Sequence, residues 1–238
     1  MFRLAPALIT ASLGAVGLGL LGQHVQREYD RRERVVEIEA GRRLYWQVRR
    51  TVHVHEPYEL LNQLHARAEN ADAVLAVLKL NPGEVVADVG CGAGFYTLDL
   101  AERVGPRGRV LGLDIQPESL VFLEERIASK GCQDCGNIEL VHSRIDDPIL
   151  PEASLDAMLM AHLDFYAYRP LLPENETMIE RSAAALRPGG RLVVVQDMRP
   201  VPGGNEEAIV ANFEEAGLAP DLVADFEDGT VLATFRKR

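Results

Sequence analysis

The chain has 238 residues, a formal net charge of −11, 47% hydrophobic residues and 26% charged residues. This composition is ordinary for a soluble globular protein and excludes long disorder. The three cysteines are too few, and odd in number, for a disulfide framework. Beyond an unusual N-terminus, about 190 residues remain, which is enough for one α/β domain with a sizeable core.

The first segment, residues 4–22, contains no charged side chain. As a helix it would span about 28 Å, close to the hydrocarbon thickness of a bilayer. A membrane anchor, a secretory signal, and a helix buried or bound by a partner all fit this pattern. A cleaved signal is disfavoured because no Ala-x-Ala-like site precedes Gln23. We therefore predict that residues 1–22 are a transmembrane anchor or an uncleaved signal.

Arginine is concentrated just after this segment. Residues 1–34 hold five Arg and three acidic residues, whereas the remaining 204 hold 20 basic and 33 acidic residues, a net charge of −13. The Arg excess favours a cytoplasmic location for the rest of the chain, with export after signal cleavage as the alternative. Because so acidic a domain repels phosphate backbones, we expect no nucleic-acid partner.

Residues 23–56 are predicted to form an Arg-rich helical connector. Arginines at positions 42, 43, 49 and 50 surround Tyr45 and Trp46. This mixture suits a membrane surface, but a solvated helix that docks one side on the domain explains it equally well.

From residue 57 to residue 238, short apolar runs alternate with amphipathic stretches. This alternation is typical of a parallel sheet with crossover helices. Strands are predicted at 85–89, 109–114, 138–141, 155–160, 191–196, 222–226 and 231–235. Helices are predicted at 57–64, 71–80, 95–104, 117–129, 176–186 and 206–216. The last two strands are expected to form an antiparallel hairpin across Asp228-Gly229. We predict a Rossmann-like, doubly wound α/β fold with seven mostly parallel strands, preceded by the N-terminal hydrophobic helix.

A glycine-rich loop follows the first predicted strand. Its spacing, Gly90-x-Gly92-x-Gly94, differs from the G-x-G-x-x-G of dinucleotide-binding folds. Asp114 ends the second strand, where an acid can accept hydrogen bonds from ribose hydroxyls. Asp146 and Asp147 follow the third strand, although they could instead form a turn before Pro148. The Cys132-x-x-Cys135 pair lacks a second Cys or His pair nearby, so no metal site is predicted.

Four stretches together resemble the class I S-adenosylmethionine-dependent methyltransferases. They are Val86 to Gly94, Leu113-Asp114, Ile145-Asp146 and Leu186-Arg187-Pro188-Gly189-Gly190. The resemblance covers about residues 57–238 and implies S-adenosylmethionine as the cofactor. It implies that the loop glycines line the methionine part of the cofactor and that Asp88 orders the loop or reaches the cofactor amine through water. Asp114 would hold the ribose and Ile115 would pack on adenine, while Asp146 would bond the adenine amine beside Ile145. Cys91 is expected to pack rather than react.

In this family the end of the fourth strand faces the transferred methyl group. That places His162 as the candidate base, because imidazole titrates near neutral pH, with Asp164 to orient it or bind a cationic substrate. Alternatively, His162 only contacts the cofactor or caps the strand. Tyr166 and Tyr168 are expected to line the pocket. The family's Asn/Asp-Pro-Pro-Tyr signature is absent from the sequence, which argues against amine methylation of bases or glutamine.

We therefore expect methyl transfer to a small-molecule or lipid-like acceptor at the membrane. A membrane-anchored methyltransferase-like scaffold without catalysis and a protein methyltransferase are the alternatives. The sequence does not determine the oligomeric state.

Overall fold

The computed structural model describes residues 71–129, 135–198, 203–226 and 229–238. The predicted anchor, the connector and the predicted helix at 57–64 lie outside these ranges. In the part of the chain that is described, no helix is both long enough and apolar enough to cross a bilayer.

The described residues form one seven-stranded sheet with the order β3-β2-β1-β4-β5-β7-β6. Its strands are β1 (Val85–Val89), β2 (Arg109–Asp114), β3 (Ile138–His142), β4 (Leu155–Ala161), β5 (Leu186–Asp197), β6 (Leu218–Asp225) and β7 (Thr230–Lys237). The first five strands run parallel to one another, and β7 runs antiparallel to both β5 and β6. The predicted mostly parallel sheet and its terminal antiparallel hairpin are confirmed.

Five α-helices are described: α1 (Ala71–Val77), α2 (Phe95–Val104), α3 (Pro117–Ser129), α4 (Pro173–Ala185) and α5 (Glu206–Glu215). Short 3₁₀ helices occupy Cys135–Asn137 and Asp164–Ala167. The core has two main layers, because successive β1 residues belong to different clusters. Ala87 and Val89 pack with side chains of α4 and α5, whereas Val86 packs with side chains of α1 and α2. Burial on both faces explains the apolar sequence of the central strands.

Several predicted boundaries were wrong. Helix α4, predicted at 176–186, begins at Pro173, with proline in its first turn and Glu174 and Glu176 near its positive end. It ends at Ala185, because Leu186 pairs with Leu155 and starts β5. The Leu186 to Gly190 stretch is therefore the irregular beginning of a strand, where the register shifts before Arg191 pairs with Ala157.

The parallel topology fixes the position of the functional residues. The carboxyl ends of β1, β2, β3, β4 and β5 meet at one edge of the sheet, where ligands bind in open α/β folds. The opposite edge is held by polar contacts: Asp156 accepts hydrogen bonds from Val85 N at 2.8 Å and from Arg187 Nη1 at 2.6 Å. The predicted site residues therefore lie at one edge of the sheet, and the contacts of Asp156 lie at the opposite edge.

Candidate functional site

The glycine loop joins β1 to α2 and needs glycine for two reasons. Gly90, Gly92 and Gly94 have φ angles of 74°, 52° and 76°, in the left-handed region that other residues rarely adopt. A Cβ on Gly90 would overlap the Leu163 side chain, and one on Gly94 would overlap Leu123. The predicted tight turn is confirmed, and two neighbouring segments pack directly against its backbone.

Asp114 ties this loop to the end of β2. Gly92 N donates to Asp114 Oδ2 at 2.8 Å, and Gln116 N donates to Asp114 Oδ1 at 2.7 Å. Gly90 N and Cys91 N both donate to Leu113 O, at 2.7 and 2.9 Å. The carboxylate is only 7% exposed. It therefore organises the loop, a role that the sequence did not reveal. A carboxylate can accept about four hydrogen bonds, so the ribose contact stays a compatible prediction.

Asp88 supports the junction between the loop and α2. It is 2% exposed and accepts a hydrogen bond from Thr97 Oγ1 at 2.6 Å. Burial raises the pKa of Asp88 to about 7, against the lowering effect of the Thr97 hydrogen bond, and the Asp114 charge raises it further. Burial likewise raises the pKa of Asp114 to about 6, although the Gln116 and Gly92 hydrogen bonds oppose this. Two buried acids thus lie at the base of the loop.

The two acids after β3 have different environments. Asp147 accepts a hydrogen bond from Ile149 N at 2.8 Å and pairs with Arg181, so it forms the turn that the sequence left open. Asp146 Oδ1 is buried without a hydrogen-bond partner, and Arg144 Nε approaches it at 3.3 Å without completing one. A buried acceptor costs free energy until a donor reaches it. Asp146 therefore suits an amine donor. Ile115 and Ile145 are both half-buried.

His162 follows β4 in a strained conformation, with a φ of 58°. Its backbone N donates to Val195 O at 2.7 Å, and its ring Nδ1 accepts a hydrogen bond from Asp197 N at 3.3 Å. When Nδ1 accepts, the proton of the neutral ring resides on Nε2. This tautomer disfavours the role of general base and favours a positioning role. Asp164 opens the 3₁₀ helix, and its side chain lies outside the described part.

Tyr166 does not line a pocket, contrary to the sequence-based expectation. Its side chain is fully buried, and its hydroxyl donates to Val195 O at 2.9 Å and accepts from Leu163 N at 3.1 Å. It joins the end of β4 to β5 and so places His162 beside Asp197. Tyr168 is half-buried and packs against the core.

Sequence reasoning missed the residues that support the site from other elements. Thr97 could have been suspected, since it is a small hydroxyl residue in the first turn after the loop. Leu163, Arg126 and Asp197 carried no local signal, because their contacts arise only when β4 pairs with β1, α3 packs on the loop and β5 pairs with β4. Cys91 is buried, and burial raises the pKa of its thiol well above the usual range. The thiol is therefore protonated, as its expected packing role requires.

The two buried acids predict an unusual pH dependence of stability before any ligand binds. An unfolded Asp loses its proton near pH 4, whereas Asp88 and Asp114 hold theirs to pH about 7 and about 6. The folded state binds more protons across this window, so the free energy of unfolding should fall as pH rises from about 4 to about 7. Asp88→Asn should make this decline shallower.

Urea unfolding of the ligand-free protein between pH 4.5 and 7.5 measures the effect. Asp72→Asn removes an exposed carboxylate on α1 and serves as the control. We expect its free energy of unfolding to decline with pH as steeply as that of the wild type. Equal slopes for Asp88→Asn and the wild type would contradict the assignment.

Comparison with known proteins agrees with this geometry. A family model described as a methyltransferase domain matches residues 86–190. The arsenite methyltransferase of Halobacterium salinarum is 30% identical over 127 residues, which are 53% of this chain and 30% of that protein. The demethylmenaquinone methyltransferase of Geobacillus stearothermophilus is 28% identical over 127 residues, 53% of this chain and 51% of that protein. The matched region thus spans about a third to a half of these curated relatives.

Solved structures share the fold. A SAM-dependent methyltransferase from Aquifex aeolicus superposes with a TM-score of 0.63 and 24% identity, over 78% of this chain and 100% of that chain. A geranyl diphosphate methyltransferase in complex with SAM has a TM-score of 0.61 and 17% identity, over 76% of this chain and 90% of that chain.

The residues present fit S-adenosylmethionine. The glycine loop forms a tight turn after β1, Asp114 ends β2, and Asp146 follows β3. The buried Asp146 Oδ1, which has no hydrogen-bond partner, matches the donor chemistry of an adenine amine. Residues 86–190 therefore belong to a methyltransferase domain that resembles the class I S-adenosylmethionine-dependent enzymes, with S-adenosylmethionine as the cofactor.

Proposed function

We propose that this chain transfers the methyl group of S-adenosylmethionine, by in-line displacement, to a small-molecule acceptor of lipid-like character at a membrane. The observation that carries the proposal is the arrangement of two acids: Asp114 accepts a hydrogen bond from the glycine loop, and Asp146 keeps a buried oxygen without a hydrogen-bond partner. A scaffold that had lost catalysis would have no need for Asp88 and Asp114, two buried carboxyl groups at the base of the loop that raise the free energy of the ligand-free fold.

When bound, the cofactor supplies an activated methyl group, so positioning provides much of the rate acceleration. The chain's own contribution is to hold that group against the acceptor at the carboxyl edge of the sheet. His162 and Asp197 lie at the ends of adjacent strands there. We propose that His162, fixed through Nδ1, positions the acceptor or the cofactor rather than removing a proton. Asp164 stays a candidate for binding a cationic acceptor.

Two lines of support favour a lipid-like acceptor. The matched relatives include proteins named for demethylmenaquinone and for geranyl diphosphate, which are isoprenoid small molecules. The uncharged residues 4–22 also favour attachment to a membrane, and the following arginines favour the cytoplasmic side.

The acceptor class can be tested in membranes that contain the full chain, with cofactor labelled on its methyl group. We expect label in the organic extract. Gly90→Ala should abolish it, because the new Cβ overlaps Leu163. Gly217→Ala is the matched control, since Gly217 also has a positive φ, of 83°, but open space around its Cβ position.

The other outcomes each decide against one part of the proposal. Label that appears only in soluble metabolites contradicts a lipid-like acceptor, and label in protein indicates a protein methyltransferase. No transfer by the wild type in membranes, with cofactor binding intact, would favour the scaffold.

Two substitutions of His162 distinguish a positioning role from the role of a general base. His162→Asn keeps an acceptor near the Nδ1 position and tolerates a positive φ, whereas His162→Ala keeps neither. We expect the initial rate of label transfer for Asn to stay within about tenfold of the wild type and to exceed that of Ala. Equal losses in both variants, on the order of 10²- to 10⁴-fold, would instead indicate a base.

A further inference from the structure

One face of α3 packs against the glycine loop. Three residues of α3 that are one turn apart make the contacts: Leu120, Leu123 and Arg126. Leu120 and Leu123 pack with Cys91, and Leu123 fills the space that a Gly94 Cβ would need. Arg126 Nη1 donates a hydrogen bond to Ala93 O, in the middle of the loop.

The Arg126 hydrogen bond completes the fixation of one peptide group. The Ala93 carbonyl and the Gly94 amide belong to the same planar unit. Gly94 N donates to Cys91 O at 2.8 Å, and Arg126 binds the carbonyl at the other end. Both ends of this peptide are therefore held. Gly94 is one of its two residues, and glycine moves easily between backbone conformations, so without such contacts the peptide could rotate.

The location of Arg126 is unfavourable for stability alone. Its side chain is half-buried, and burial lowers the pKa of its guanidinium, although the Asp99 charge partly opposes this. It also approaches the N-terminus of α2, where the helix dipole favours anions rather than cations. A cation held there against both effects points to a role in shaping the loop.

We propose that Arg126 is a positioning residue for the cofactor: through the Ala93 carbonyl it holds the Ala93–Gly94 peptide in the orientation that the cofactor requires. Arg126 thus complements Asp114, which holds the preceding Gly92 amide from the β2 side. The loop is thus held by the Asp114 carboxylate on one side and by the Arg126 guanidinium on the other.

Calorimetric titration of the full chain with S-adenosylmethionine and with S-adenosylhomocysteine tests the proposal without any acceptor, so its outcome is independent of the proposed acceptor class. Arg126→Met keeps the apolar stem and removes the donors. We expect its Kd for both ligands to rise about tenfold, equivalent to about 1.4 kcal/mol. Arg126→Lys keeps a charged donor and should restore the Kd to within about threefold of the wild type.

Arg103→Met on α2 is the matched control, because Arg103 is exposed and pairs only loosely with Asp72, at 3.7 Å. Its Kd should equal that of the wild type. In label-transfer assays, Arg126→Met should raise the KM for the cofactor and leave the rate at saturating cofactor nearly unchanged.

An unchanged Kd for Arg126→Met, with only a lower melting temperature, would overturn the proposal and leave Arg126 a structural residue. A Lys variant as weak as the Met variant would also overturn it. Arg126→Gln, with a neutral donor on a shorter stem, replaces Arg126→Met in the comparison if the Met variant does not fold.

Discussion

The Asp114 carboxylate is the interaction on which the site depends. It ends β2, and the parallel register that pairs Val89 with Leu113 brings it beside the glycine loop. One oxygen accepts the Gly92 amide and the other accepts the Gln116 amide. Because a buried carboxylate needs such donors to offset its desolvation, the loop and the start of α3 are held in one arrangement. The residue proposed to contact the ribose is thus also the one that shapes the loop.

The buried acids also give the site its electrostatic character. Burial is the largest cause of the raised pKa of Asp88 and of Asp114 in the ligand-free protein, and the Asp114 charge raises the pKa of Asp88 further. A sulfonium cofactor brings a positive charge, which favours ionised carboxylates nearby. The same groups that weaken the ligand-free fold near neutral pH would therefore favour the bound state. The acidic balance of residues 35–238 acts in the same direction.

Local sequence patterns were sufficient to predict the bounds of the strands and helices around the site. The predicted ranges of β1, β2, α2 and α3 agree with the structure, because glycine, proline and apolar periodicity delimit them within the chain itself. The starts of β5 and β6 were wrong, since Leu186 and Leu218 become strand residues only through pairing with Leu155 and Lys237. The acids were found from their positions after strands. The role of Arg126 and the tautomer of His162 could not be predicted from the sequence, because both depend on packing between distant segments.

The central claim is that the Asp114 carboxylate organises cofactor binding, and the affinity of Asp114→Asn for S-adenosylhomocysteine tests it most directly. Asp156→Asn is a matched control: Asp156 also accepts one hydrogen bond at each oxygen, but at the opposite edge of the sheet. Since a hydrogen bond to a charged group contributes about 1.5–3 kcal/mol, we expect calorimetry to give at least about tenfold weaker binding for Asp114→Asn and wild-type binding for Asp156→Asn. Wild-type affinity in a folded Asp114→Asn protein would contradict the account.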